Sequence, residues 1–161
     1  TTNLMIPYDD AVEGLKHIYS KTKKRIPCMP KYKVLNDNMI VINRKGVVGQ
    51  IKEVFPKSVK VFPIYAKGNI VPAYINSNGL NIILKGLGED KLFSIENLSS
   101  DVDLKIGDEI FSSGLGGKFP KGYLIGKIKK ISNNPNLKFQ TVEVQSTAVF
   151  NNGSKVLFIS P

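Results

Sequence analysis

Cysteine and histidine are almost absent from this sequence. With Cys28 alone no intrachain disulfide can form. With His17 alone no metal site that needs two imidazoles can be built, and one thiolate is too little for zinc. Arginine is nearly as scarce, Arg25 and Arg44 standing against 21 lysines. The planar guanidinium is the group best shaped for bidentate contact with phosphate or guanine, so its scarcity argues against a sequence-specific nucleic-acid reader. Long apolar runs are missing as well. Aliphatic stretches such as Met39-Ile40-Val41-Ile42 fall far short of the roughly 18 residues that suggest a spanning helix. No hydrophobic signal core is present, and a chain starting at Thr1 is expected to be processed or trimmed.

What is present describes a folded protein. A length of 161 residues suits one ordinary domain or two very small ones, and 42% hydrophobic with 22% charged residues excludes a disordered tail. The formal net charge of +10 invites an anionic partner, whether nucleic acid, a phospholipid surface or an acidic polymer. The lysines are spread along the chain, however. Their one dense cluster is Lys21, Lys23, Lys24 and Arg25, so a solvated surface explains most of them.

The one convincing helix covers residues 9 to 25. Asp9 or Asp10 can cap it, Glu13 suits its first turn, and the basic cluster lies at its negative end. Pro27 and Pro30 stop it. Val12, Leu15, Ile18 or Tyr19, and Thr22 form one narrow apolar stripe, which suits the end of a coiled coil or docking onto the following domain. Beyond Pro30 the pattern changes to short runs of Val, Ile, Phe and Tyr separated by Gly, Asn, Asp or Pro, the signature of small antiparallel barrels or a sandwich. Strands are expected at 32–35, 39–43, 47–54, 58–64, 71–75, 81–87, 91–95, 109–113, 124–131, 139–145 and 155–159. Asn78-Gly79 and Asn152-Gly153 have tight-hairpin chemistry.

So many short strands exceed one small barrel. The expected fold is therefore all-β, two small β-barrel domains preceded by a short N-terminal α-helix. Only four strands precede the polar break at Lys67-Gly68-Asn69, too few to close a barrel. The first barrel is therefore expected to be discontinuous, residues 27–66 plus 139–161, with the second inserted as 67–138 and the helix occupying 1–26.

No catalytic set emerges. The glycine-rich segment from Ser112 to Gly122 is not a phosphate loop, because no Gly-Lys pair is followed by Ser or Thr and Phe119-Pro120 cannot open a helix. It reads as a tight connection between strands. A serine protease would need His17 as its base, and that residue lies on the helix before either barrel. Asp101-Val102-Asp103 begins like a calcium loop, but Lys105 takes a ligand position, Gly107 is one place late and Ser112 stands where the bidentate Glu belongs. These carboxylates, with Glu89-Asp90, read as solvated turns, and no spacing selects a glycosidase pair.

The run Leu104 to Ile128 carries a Gly107-Asp108 turn, a strand ending in Ser113-Gly114-Leu115-Gly116-Gly117, a Phe119-Pro120-Lys121-Gly122 turn, and the strand Ile125-Gly126-Lys127-Ile128. With Gly46-Val47-Val48-Gly49-Gln50-Ile51 and Ser58 to Val61, it closely resembles the rod shape-determining MreC family over about residues 30 to 160. Two places depart from the family pattern: the stretch before Gly46 is shortened to Asn36-Asp37-Asn38, and Tyr65-Ala66-Lys67 replaces the usual Asp. The resemblance implies the periplasmic part of a bitopic inner-membrane protein, anchored by an N-terminal helix that this chain lacks, with residues 9 to 25 as the tail of a coiled coil. It also implies a non-enzymatic, cofactor-free scaffold of the cell-elongation machinery. Such a scaffold binds a class B penicillin-binding transpeptidase, associates with MreD and MreB, and self-associates.

A scaffold presents surface, with aromatic residues as anchors. Tyr74, Phe93 and Tyr123, each on or beside a strand of the second barrel with polar neighbours, are the partner-binding candidates, the alternative being that they are core. The competing function is a barrel that binds an oligonucleotide or another anionic polymer. The aromatics are not interleaved with Lys as a stacking platform requires, which weighs against nucleic acid. Residues 1 to 66 carry net +7 and residues 67 to 161 net +3. The excess thus falls at the end that the resemblance sets nearest an anionic membrane surface, the remaining expected partner.

Overall fold

Alternation of β-branched or aromatic residues with polar ones, broken by Gly, Asn and Pro, builds strands and tight turns through almost the whole described chain. The computed structural model describes residues 4–7, 39–134, 136–148, 150 and 156–159. Its strands are β1 (Leu4–Pro7), β2 (Ile40–Asn43), β3 (Gly46–Val54), β4 (Ser58–Pro63), β5 (Ile70–Ile75), β6 (Asn81–Gly86), β7 (Leu92–Ser99), β8 (Glu109–Ser112), β9 (Leu124–Asn133), β10 (Phe139–Ser146) and β11 (Leu157–Ile159). A single 3-10 turn spans Leu115–Gly117. The helix expected over 9 to 25 lies outside the described residues. So do Cys28, the strand expected at 32–35 and the Asn152-Gly153 turn.

The strands pair antiparallel into two sheets. One is open and five-stranded in the order β1-β4-β3-β2-β11. The other, β10-β7-β6-β5-β8-β9, closes into a barrel through the pairing of β9 with β10. The expectation of two barrels is thereby corrected: among the described residues the all-β fold holds one closed six-stranded barrel and one open sheet whose edges are β1 and β11. The reason lies in strand supply. Five of the expected strands fall between residues 67 and 138, and the barrel takes β10 as its sixth, between β7 and β9. The segment from 139 to 146 therefore belongs to the barrel and not to the first unit. The strand that the open sheet draws instead is β1, which the sequence reading overlooked. Its Ile6 is fully buried, and Pro7 closes an edge strand, where a missing N–H is harmless.

β2 and β3 serve two cores at once. Ile40 and Val47 join the barrel core, whereas Val41 and Val48 join the core of the open sheet with Ile6, Ile51, Val59, Val61 and Phe158. A strand buried on both faces has no need of polar alternation, which accounts for the apolar run Met39 to Ile42. The sheet meets the barrel at the tip of the β2–β3 hairpin. There the Thr147 hydroxyl donates to the Lys45 carbonyl at 2.7 Å, and Gly46 lies so close to β9 that a Cβ would stand 2.3 Å from the Leu124 carbonyl oxygen.

Candidate docking surface on the barrel

Two parities run through the barrel strands. On β5, Val71, Ala73 and Ile75 point into the core while Ile70, Pro72 and Tyr74 point out, and on β6, Ile82 and Leu84 point in while Asn81, Ile83 and Lys85 point out. Register then brings the outward apolar residues side by side. Pro72 lies opposite Ile83, and Tyr74 lies opposite Phe111 of β8, their rings stacked with centroids 5.9 Å apart and planes 20° from parallel. Ile70 and Ile83 are 47% and 52% exposed. The result is a contiguous apolar stripe, Ile70, Pro72, Tyr74, Ile83 and Phe111, across three strands of the outer wall, where a solvated barrel would carry polar side chains.

The three aromatic candidates divide accordingly. Tyr74 is in the stripe. Phe93 is not available to a partner: its side chain is fully buried in the barrel core, which corrects its nomination. Tyr123 is half-buried against the same core, and its backbone N–H donates to the Ser112 hydroxyl at 3.0 Å. Ile70, Pro72, Ile83 and Phe111 escaped the sequence reading because each looks like an ordinary strand residue. The signal that finds them is an apolar residue at the outward parity of a strand whose inward positions are already apolar.

The glycine-rich loop after β8 adjoins the stripe. The Ser113 N–H donates to the Pro72 carbonyl at 3.2 Å, and the Lys118 ammonium donates to the Asn69 side-chain oxygen at 3.2 Å, both at the start of β5. Gly114, Gly116 and Gly117 take φ of 79°, 77° and 70°, left-handed values that suit glycine. Phe119 turns inward as a buried plug, and the Ser112 hydroxyl donates to the Pro120 carbonyl. The remaining motif residues are structural punctuation around this region. Gly107 and Asp108 form the turn into β8, Gly122 precedes β9, Gly49 lies within β3, and Gly126 lies within β9 opposite Ser146.

The family model for the barrel core of the rod shape-determining protein MreC matches residues 31–160. The chain belongs to the MreC family. A cell shape-determining MreC from Haemophilus influenzae is 30% identical over 121 residues, which cover 75% of this chain and 34% of that protein. The chain thus spans about a third of the length of the curated relatives it matches. A crystal structure of MreC from Pseudomonas aeruginosa is similar with a TM-score of 0.73 at 29% identity, covering 80% of this chain and 83% of that one. Two more distant likenesses speak to the fold alone. One is a structure described as the major periplasmic domain from the cell shape-determining filament MreC, with a TM-score of 0.59 at 22% identity, covering 78% of each chain. The other is the complex between Penicillin-Binding Protein (PBP2) and MreC from Helicobacter pylori, with a TM-score of 0.55 at 16% identity, covering 84% of this chain and 82% of that one.

MreC proteins are non-enzymatic determinants of cell shape, and in this one Asp101 and Asp108 are engaged as turn residues. Asp108 accepts from the Ser77 hydroxyl at 3.2 Å and from the Lys105 N–H at 3.0 Å, and Asp101 accepts from the Ser99 hydroxyl. Asp103, Lys105 and Asp108 line an open hollow of about 890 Å³ at one mouth of the barrel, floored by Leu80 and Val102. Among the described residues, one shifted titration stands out: burial pushes the Tyr65 phenol above its ordinary pKa.

Proposed function

We propose that this MreC chain is a non-enzymatic periplasmic scaffold of the cell-elongation machinery, which maintains rod shape by binding and positioning a class B penicillin-binding transpeptidase for peptidoglycan synthesis. The observation that carries the reading is the outward stripe of Ile70, Pro72, Tyr74, Ile83 and Phe111, a surface that costs free energy in water unless a partner covers it. The family supports the role in cell shape. The Helicobacter pylori MreC in complex with PBP2 supports the partner class, and the structure described as a periplasmic domain of filament MreC supports both the compartment and self-association. An inner-membrane anchor preceding this chain, with contacts to MreD and MreB, completes the arrangement. The net +7 of residues 1 to 66 suits a position close to an anionic membrane.

The test is binding of this chain to the periplasmic domain of the transpeptidase, measured by calorimetry with and without the double substitution Tyr74→Asp, Ile83→Asp. Charges placed in the stripe are expected to weaken binding by about 30-fold or more, the loss of an interface anchor of about 2 kcal/mol, while the fold is retained and the melting temperature falls by only a few degrees. Affinity should survive moderate salt, since an apolar interface core is insensitive to screening. Affinity for an anionic polymer that falls log-linearly with salt, with none for the transpeptidase, would sink the reading in favour of a polymer-binding barrel.

A further inference from the structure

The glycine-rich loop contains a residue that a mere connection does not call for. Leu115 is 56% exposed, although three left-handed glycines around it would turn the chain equally well with a polar residue in that place. It is also held rigidly. Gly122 N–H donates to the Ser112 carbonyl at 2.8 Å, Gly117 N–H to the Gly114 carbonyl at 3.3 Å, and Leu115 N–H to the Ser113 hydroxyl at 3.3 Å. A leucine fixed in water by its own loop exposes apolar surface but has little backbone freedom left to lose on binding. That preorganisation favours an anchor.

The surroundings of Leu115 are one-sided in charge. Lys118 and Lys121 flank it within the loop, and no Asp or Glu occurs between residues 110 and 122 or between 63 and 75, the segments that form this end of the stripe. Lys118, exposed as a residue, is positioned by its bond to Asn69 and lies over the Phe119 ring, 5.3 Å from its centroid. Around the rest of the stripe the charges are balanced: Lys85, in register with Ile70 on the β6 side, lies 4.0 Å from Glu96, and Glu109, at the start of β8, is in register with Lys127.

Building on the scaffold reading above, we infer that Leu115, Lys118 and Lys121 extend the docking stripe and select, on the transpeptidase, a segment that is apolar at its centre and acidic at the flank lying over the loop. Leu115 and Ile70 grip the apolar centre, and the two ammonium groups face the partner's carboxylates. The lysines then act mainly on orientation and on the rate of encounter, because they are rim charges, whereas Leu115 acts on the lifetime of the complex.

The experiment compares three variants of the full chain, Leu115→Ser, the pair Lys118→Glu, Lys121→Glu, and Tyr74→Asp, for binding to the periplasmic domain of the transpeptidase at 50 mM and 500 mM salt. All three sites are on the surface, and a thermal melt of each variant verifies the fold. Leu115→Ser is expected to weaken binding about tenfold at both salt concentrations, chiefly through a faster off-rate. The double lysine reversal is expected to weaken it about tenfold at 50 mM, through a slower on-rate, and to approach the unsubstituted chain at 500 mM. If Tyr74→Asp abolishes binding while the loop variants bind as the unsubstituted chain does, the loop has no part in recognition and the scaffold reading stands without it. Absence of binding by the unsubstituted chain overturns both.

Discussion

Phe93 and Tyr74 are both aromatic residues on barrel strands with polar neighbours, yet strand parity turns one ring inward and the other outward. On β7, Phe93 and Ile95 share the core face and alternate with Ser94 and Glu96; on β5, Tyr74 alternates with the inward Ala73 and Ile75. The energetic roles follow. Phe93→Ala removes a fully buried ring and leaves a cavity, so it should cost about 3 to 5 kcal/mol of folding stability. Tyr74→Ala removes a half-exposed ring from the outer wall and its stacking on Phe111, and should cost about 1 kcal/mol. Urea titration of the two variants measures the difference directly, and equal losses would mean that the inward and outward assignments are wrong. The period-2 signal for this distinction was legible in the sequence. Ranking aromatics by polar neighbours obscured it, because a polar neighbour on a strand belongs to the opposite face and says nothing about the residue beside it.

Elements were legible where their chemistry is local. The nine strands from β2 to β10 all coincide with runs rich in β-branched or aromatic residues between turn residues, and the glycine-rich connection follows β8 as its composition requires. Pairing was less legible, because antiparallel partners are chosen by closure of the whole sheet. β10 alternates Gln140, Val142, Val144 and Ser146 inward, a pattern that fits any half-buried sheet, and only the barrel's need for a sixth strand assigns it. The β2–β3 hairpin shows how an element can be tuned for a neighbour it meets late in the chain. Gly46 has φ of 137° and no room for a side chain beside Leu124, and Thr147 bonds the preceding carbonyl. Gly46→Ala therefore combines backbone strain with a clash against backbone that cannot rotate away, and should destabilise the chain by roughly 3 kcal/mol. An unchanged denaturation midpoint for this variant would show that the sheet and barrel do not need so close a contact.

At the scale of the molecule, the two units differ in how the chain supplies them. All six barrel strands lie within residues 70 to 146, whereas the open sheet gathers β1 from one end, β2 to β4, and β11 from the other. Of the buried residues in the barrel core, only Ile40 and Val47 come from before residue 64. A fragment covering residues 64–148 keeps every barrel pairing and nearly all of that core, so it should fold alone and melt cooperatively below the temperature of the full chain. A fragment covering 67–138 lacks β10, which leaves β7 and β9 as facing unpaired edges and removes Gln140, Val142, Val144 and Ser146 from the interior. It should be unfolded or aggregated. Far-UV circular dichroism and amide dispersion in a heteronuclear spectrum separate the two outcomes, and a well-dispersed spectrum for 67–138 would contradict the six-stranded closure. The docking stripe from Ile70 to Phe111 and the Leu115 loop lie entirely within 64–148. The isolated barrel should therefore retain most of the affinity of the full chain for the transpeptidase, and loss of binding by a well-folded 64–148 fragment would move the docking surface onto the open sheet.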